Sequence, residues 1–474
     1  MVGSLSSRSS MESKGSELAA SSISDPDYDL EKQQSSSTTS ETTDGEPFGS
    51  ALQLTTSHLS QSAHPSIPNG GLKAWLQVLT AFFLFFDSWG LINAHGTFQI
   101  HYRTVIFPDH SPTTLSWIGS LSAFLLCLTT VFTGPLIDHG HARITVSAGA
   151  FLVLSGLLAT SACTMYWQLL LAQGVCMGIG QGCLFISAIS VLPRWFSTRR
   201  SFALGLAAAG SSLGGVAYSL TFHQLISHFS FAITLRLLAA ISLPTLLIPC
   251  ILLDPDPNAA APFAVSKSRV SVFPSLKPFL SLPFSLLALA SFMGSLALYI
   301  PFIYLPAFAM TSTTFPATQI YLLVPILSLA SIFGRIIPGL LADRLGALNV
   351  LAAFTLLTGL VGLCWTGVSE RLGLVVWAVG YGAVSGGFVS LQPAGVVSLS
   401  PKGEEAGMGG RLGLNTFCGA LGLLVGTPVA GILAAKYPSW VGVQVLCGGA
   451  LVVAGGLVVA ARIAQTGLAV WKKA

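Results

Sequence analysis

Apolar residues run through this chain in long unbroken blocks, not in alternation. From residue 70 onward, twelve blocks are long enough to cross a bilayer as helices, which takes roughly 20 residues. They fall at 72–94, 113–136, 144–164, 168–191, 201–223, 231–253, 282–308, 318–341, 349–367, 372–397, 409–434 and 441–463. Their length and lack of alternation predict helices and exclude the strands of a membrane barrel. Residues 1–68 are rich in Ser, Thr and acidic side chains, with few large apolar groups, and predict a disordered cytosolic tail. No apolar core of a signal peptide opens it. Residues 254–280, rich in Pro and basic groups, predict a cytosolic linker between two halves, 69–253 and 281–474. The expected fold class is an all-α membrane protein, with twelve transmembrane helices in two pseudo-symmetric six-helix bundles.

Composition strengthens this picture. Only 8% of residues are charged and 52% are hydrophobic, with a mean hydropathy of +0.73; a soluble domain is roughly 25% charged. Fourteen Lys and Arg residues fall on the side of the tail, against Arg103, Arg371 and Lys436 on the other. That bias places both termini in the cytosol. The eight cysteines are scattered in apolar blocks without a CxxC pair, so they read as packing residues and not as a metal or disulfide framework. Neither a nucleic-acid motif nor an ATP-binding P-loop is present, and no HExxH or GxSxG marks an enzyme. No cofactor is expected. The partners expected are the bilayer and a small organic solute, with the chain acting as a monomer.

One charged turn occurs twice. GPLIDHGHAR joins blocks two and three, and GLLADRLGAL joins blocks eight and nine. Six blocks separate the two, as an internal duplication of six helices requires. Gly134, Asp138 and Arg143 in the first copy, and Gly339, Asp343 and Arg344 in the second, are candidate gate residues. Such an aspartate can latch a helix end by charge-assisted bonds in one state and release it in another. Glycines at spacing four recur in blocks four, five and eleven, where they allow close packing or sliding seams. Among the charges inside blocks two stand out, Asp87 in FFLFFDSWG and Arg335 in SIFGRII. A charge within the membrane is a functional candidate by default.

The repeated Gly-x-x-x-Asp turn resembles the signature loop of the major facilitator superfamily, with His139 where Arg is usual in the first copy. NGGLKAW (69–75), RWFSTRRSFALGLAAAGSSLGG (194–215), FGRIIPGLLADRLGALN (333–349) and GRLGLNTFCGALGLLVGTPVAG (410–431) resemble the monocarboxylate porter branch and its fungal members. The resemblance implies a gate at the repeated turns and a pore lined by spans one, four, seven and ten. It also implies that Arg335 binds a substrate carboxylate. Yet Ser331 stands where animal members carry Asp, and Asn93 where they carry Lys, which argues against simple proton–lactate cotransport. Asp87 is then the candidate proton carrier, against the alternative of an Asp bonded to a neighbouring helix. Leu170 stands where drug–proton antiporters carry Arg. His95 and His101 read as solvated interfacial residues. Trp89, Asn93, Gln181, Tyr299, Tyr304, Tyr381 and Gln392 are candidate contacts for a partly aromatic substrate.

The expected function is secondary active transport by alternating access, with efflux of a fungal secondary metabolite first. Import of a monocarboxylate or riboflavin-like vitamin is the alternative, and a non-transporting solute sensor the rival of another class. The cell membrane is the expected site, the vacuolar membrane the other. An even number of spans makes a direct prediction. Tags on the two termini should both be reached by protease only after the cell membrane is permeabilised, and exposure of either tag on intact cells would refute the orientation.

Overall fold

The computed structural model describes residues 70–254, 276–313, 315–400, 408–437 and 439–467. The expected tail, the linker from residue 255 to 275 and Asn69 of the opening motif lie outside the described residues. Twelve helical spans are long and apolar enough to cross a membrane, and no strand occurs among the described residues. The spans are α1 (Leu72–Ile106), α2 (Thr114–Asp138), α3 (Ala142–Thr160), α4 (Tyr166–Trp195), α5 (Arg200–Ile226) and α6 (Phe231–Leu252), followed by α7 (Leu282–Ser312), α8 (Gln319–Leu345), α9 (Ala347–Gly367), α10 (Arg371–Ser398), α11 (Met408–Lys436) and α12 (Val441–Thr466). All twelve sit where the apolar blocks predicted them. The largest difference is α1, which continues twelve residues' worth of helix beyond 94, to Ile106, because His95, Gln99 and Tyr102 find polar partners or burial there.

The packing repeats with a shift of six. Helix α1 lies against α4, α5 and α6, and α7 against α10, α11 and α12. Likewise α2–α4 recurs as α8–α10, and α3–α6 as α9–α12. Across the middle, α2 packs on α11 and α5 on α8, each pair being the other shifted by six. These two crossings are the long seams of the molecule. Small residues make the seams and bundles possible, since lipid supplies no hydrophobic drive between helices and close backbone contact must serve instead.

Two glycines show how close that contact is. A methyl group on Gly214 of α5 would lie 2.4 Å from the Phe86 carbonyl oxygen of α1. Six helices on, a methyl on Gly426 of α11 would lie 1.8 Å from the Leu296 carbonyl oxygen of α7. Both are backbone contacts that cannot swing aside.

Spans α1 and α7 are each broken near mid-membrane. The first breaks at Ser88, whose hydroxyl bonds the Leu84 carbonyl at 2.6 Å, and again at Ala94. The second breaks at Tyr299, just before Pro301, which has no N–H to continue the ladder. Each break presents an aromatic ring, Trp89 in one and Tyr299 in the other.

Gly214→Val should destabilise the folded protein by about 1–3 kcal/mol through overpacking. Gly449→Ala, where a methyl meets nothing within 4 Å and alanine favours the helix, should not lower the unfolding midpoint in detergent. Equal midpoints for the two variants would contradict this account of the α1–α5 contact.

Candidate functional site

The repeated turns end their helices in the same way. Gly134 and Asp138 are four residues apart, so they share one face of α2. That face meets the first turn of α11. A methyl on Gly134 would lie 2.6 Å from the Gly409 carbonyl oxygen, so glycine lets the two backbones touch. Asp138 then accepts the Gly409 N–H at 3.3 Å and pairs with Arg194 of α4 at 3.3 Å. In the second copy, a methyl on Gly339 of α8 would lie 2.7 Å from the Ser201 carbonyl oxygen of α5. Asp343 accepts the N–H groups of Ser201 at 2.9 Å and Phe202 at 3.0 Å. These are early N–H groups of α5, a helix with no side-chain cap of its own. The first N–H groups of any helix lack intrahelical partners and carry the positive end of its dipole, so a carboxylate is favoured there. Each aspartate thus caps a helix of the opposite six. Arg143 does not take part: its Nε donates to the Leu253 carbonyl at 2.9 Å, at the end of α6. Arg344 is exposed.

The seams are also bridged towards their other ends. The hydroxyls of Ser120 in α2 and Thr427 in α11 meet at 2.9 Å. His223 of α5 stacks on Tyr321 of α8 with ring centres 3.9 Å apart.

Between these ends lies a central cavity. Trp89, Phe185, Tyr299 and Phe388 give it aromatic walls, and α10 and α11 give it a polar side. There the Ser291 hydroxyl reaches the side-chain oxygens of Gln392 at 2.8 Å and Asn415 at 2.9 Å, and Asn415 Nδ2 donates to Gln392 Oε1 at 3.2 Å. None of the described residues lining the cavity is charged. Trp89 and Tyr299, from the two broken spans, stack with centres 5.3 Å apart and planes 13° apart. A second, smaller cavity shares Tyr299 and Leu423 with the first and adds Asn93, His95, Gln99 and Ser116.

The structure therefore brings Trp89, Tyr299 and Gln392 to the central cavity, with Tyr299 and Asn93 at the second. Gln181 accepts from the Ser122 hydroxyl at 3.1 Å and lines a smaller recess beside His95. Tyr304 donates to the Thr427 carbonyl at 2.9 Å. Tyr381 is fully buried, donates to the Leu298 carbonyl at 3.0 Å and stacks on Trp377. It packs inside the second six helices and does not line either cavity.

The two intramembrane charges also turn away from the cavities. Asp87 is fully buried; its Oδ1 accepts from the Tyr218 hydroxyl and from Thr245 at 3.0 Å, while Oδ2 has no partner. This is the helix-bonded arrangement, tying α1 to α5 and α6. Arg335 donates to the Ala208 carbonyl at 2.9 Å, to Ser211 and to Ser331 at 3.3 Å. It clamps α8 to α5, and lines neither of the two larger cavities.

Three residues of this site were not foreseen. His95 is buried and lines the second cavity, not the interface, because Gly119 opposite has no side chain to exclude its ring. Asn415 carried a signal, a lone amide in a glycine-rich apolar span. Arg194, the cation of the first turn, lies 56 residues from Asp138, and nothing local marks that pairing.

The description Major Facilitator Superfamily matches residues 77–410. The chain is 36% identical over 392 residues, 82% of its length and 86% of the relative's, to the MFS-type transporter dbaD of Emericella nidulans. It is 29% identical to the aspyridones efflux protein of the same fungus, over 84% of this chain and 79% of that one. It is 32% identical to the agnestins efflux protein of Paecilomyces divaricatus, over 84% and 89%. Among solved structures, the transporter FucP in its outward conformation superposes with a TM-score of 0.56 at 16% identity, covering 81% of this chain and 98% of that one. That likeness is one of fold.

The Arg335 clamp has a measurable consequence. Arg335→Met leaves buried partners without their donors, and should destabilise the protein by about 1–3 kcal/mol. Ser211→Ala should cost less, and the double variant less than the sum, because the two share one bond. Strict additivity in thermal unfolding would contradict the clamp.

Proposed function

Because the chain belongs to the Major Facilitator Superfamily, we propose that this transporter exports a small organic metabolite by rocking its two sets of six helices about the central cavity. The observation that carries this reading is the crossed capping at one face, Asp138 on α11 and Asp343 on α5. By the distribution of basic residues that face is cytosolic. With both caps made, the cytosolic ends of the seams are shut. Opening inward breaks them together and exposes helix N-termini to water, which replaces the lost bonds. Opening outward instead separates Ser120 from Thr427 and His223 from Tyr321, leaving the caps in place. The two ends are therefore alternatives, and the cavity faces one side at a time.

Export is favoured by the relatives named for efflux of aspyridones and agnestins, and the cell membrane is where such export would act. The four stretches that resemble the monocarboxylate porters favour that branch. Proton coupling centres on Asp87. Its second oxygen is open, and both donors to the first could bond an amide oxygen equally well, so Asp87→Asn isolates the charge.

Counterflow in proteoliposomes tests the reading, since a sensor would bind without exchange. Asp138→Asn and Asp343→Asn should each shift the population towards an open cytosolic face by about fivefold to thirtyfold, the weight of a charged cap. Spin-label distances between the cytosolic ends of α5 and α8 report that shift, and unchanged distances in both variants would sink it. Asp87→Asn should fold normally and exchange solute with no dependence on pH; retained pH dependence removes Asp87 from the coupling.

A further inference from the structure

The central cavity holds more chemical information than its position. Two polar atoms on its lining have no partner, Trp89 Nε1 and Gln392 Nε2. Both are hydrogen-bond donors. Trp89 is 7% exposed, so its N–H is not meeting bulk water. Gln392 is held by its other atom: Ser291 and Asn415 both donate to Oε1, which turns the NH₂ away from that pair. A buried donor left unpaired costs free energy that a bound acceptor would recover.

The rest of the lining limits what that acceptor can belong to. With aromatic rings on four sides and no charged group among the described lining residues, an anion would lose its hydration and gain no cation. Arg335 lines neither this cavity nor the second, and its Nε and Nη1 donate to Ser331, Ala208 and Ser211. The geometry points to an uncharged, ring-bearing ligand with carbonyl or ether oxygens, which lies against the aromatic wall and accepts from Trp89 Nε1 and Gln392 Nε2. This rests on the transporter reading above, and narrows it: carboxylates are poor cargo. Trp89 also stacks on Tyr299, whose ring is shared with the second cavity. A ligand that bonds Trp89 therefore holds the ring that stands between the two spaces.

Three probes of similar size test it: 7-methoxycoumarin, its 3-carboxylate, and 2-ethylnaphthalene, which has no oxygen. Binding to the full chain in nanodiscs is measured against empty nanodiscs by equilibrium dialysis. The coumarin should bind about tenfold more tightly than either of the others. Trp89→Phe and Gln392→Leu should each weaken the coumarin about fivefold and leave the naphthalene unchanged. Trp89→Phe keeps the ring and removes one N–H, so it serves even if Gln392→Leu misfolds. Equal or tighter binding of the carboxylate, failure of all three to bind, or coumarin binding indifferent to Trp89→Phe overturns the inference. Counterflow of the same probes separates the two levels. Exchange with a preference for the carboxylate refutes the site and keeps the transporter, whereas the expected ranking without any exchange keeps the site and refutes transport.

Discussion

The first N–H groups of a helix have no intrahelical partners and, where two helix bundles close over them, no water either; this constraint organises the molecule. The starts of α5 and α11 both lie at the face of the charged turns, and each is met by a carboxylate from across a seam. A glycine one turn earlier on the same helix face removes the side chain that would hold the partners apart. The signature turn is thus a single device. Gly134 and Gly339 set the approach, and Asp138 and Asp343 use it. Because the caps cross between the two sets of helices, closing that face and completing two helices are one event.

The cavity follows from the same geometry. With the seams joined at both ends, the central cavity lies beside the breaks in α1 and α7, whose rings, Trp89 and Tyr299, line it. A straight helix at either position would carry its backbone through that space. The breaks arise from a back-bonding serine in one half and a proline in the other, different chemistry at equivalent places. Duplication here has kept shape more closely than residue identity.

Polar residues inside the spans divide into two groups. Asp87, Arg335 and Tyr381 spend their bonds on neighbouring helices and hold the bundles together. Gln392 and Trp89 keep a free donor at the cavity. An intramembrane charge is a sound pointer to importance, but not to the ligand. In an apolar surround a charged side chain takes the nearest backbone carbonyl or hydroxyl, and for Arg335 these belong to α5 and to its own helix. The uncharged amides, cheaper to leave half-satisfied, are the ones left facing the cavity.

Sequence alone was enough for the twelve spans, because the bilayer imposes one length and one polarity on every crossing helix. It was enough also for the duplication and the paired turns, which are local and periodic. What each polar side chain faces was decided only by the tertiary structure. Asp138 meets Arg194 and Gly409, Ser291 meets Asn415, and His95 fills the space left by Gly119, all across distances in the chain that carry no periodic mark. Periodicity assigns a residue to a helix face; which helix packs on that face, and at what depth, depends on contacts among all twelve.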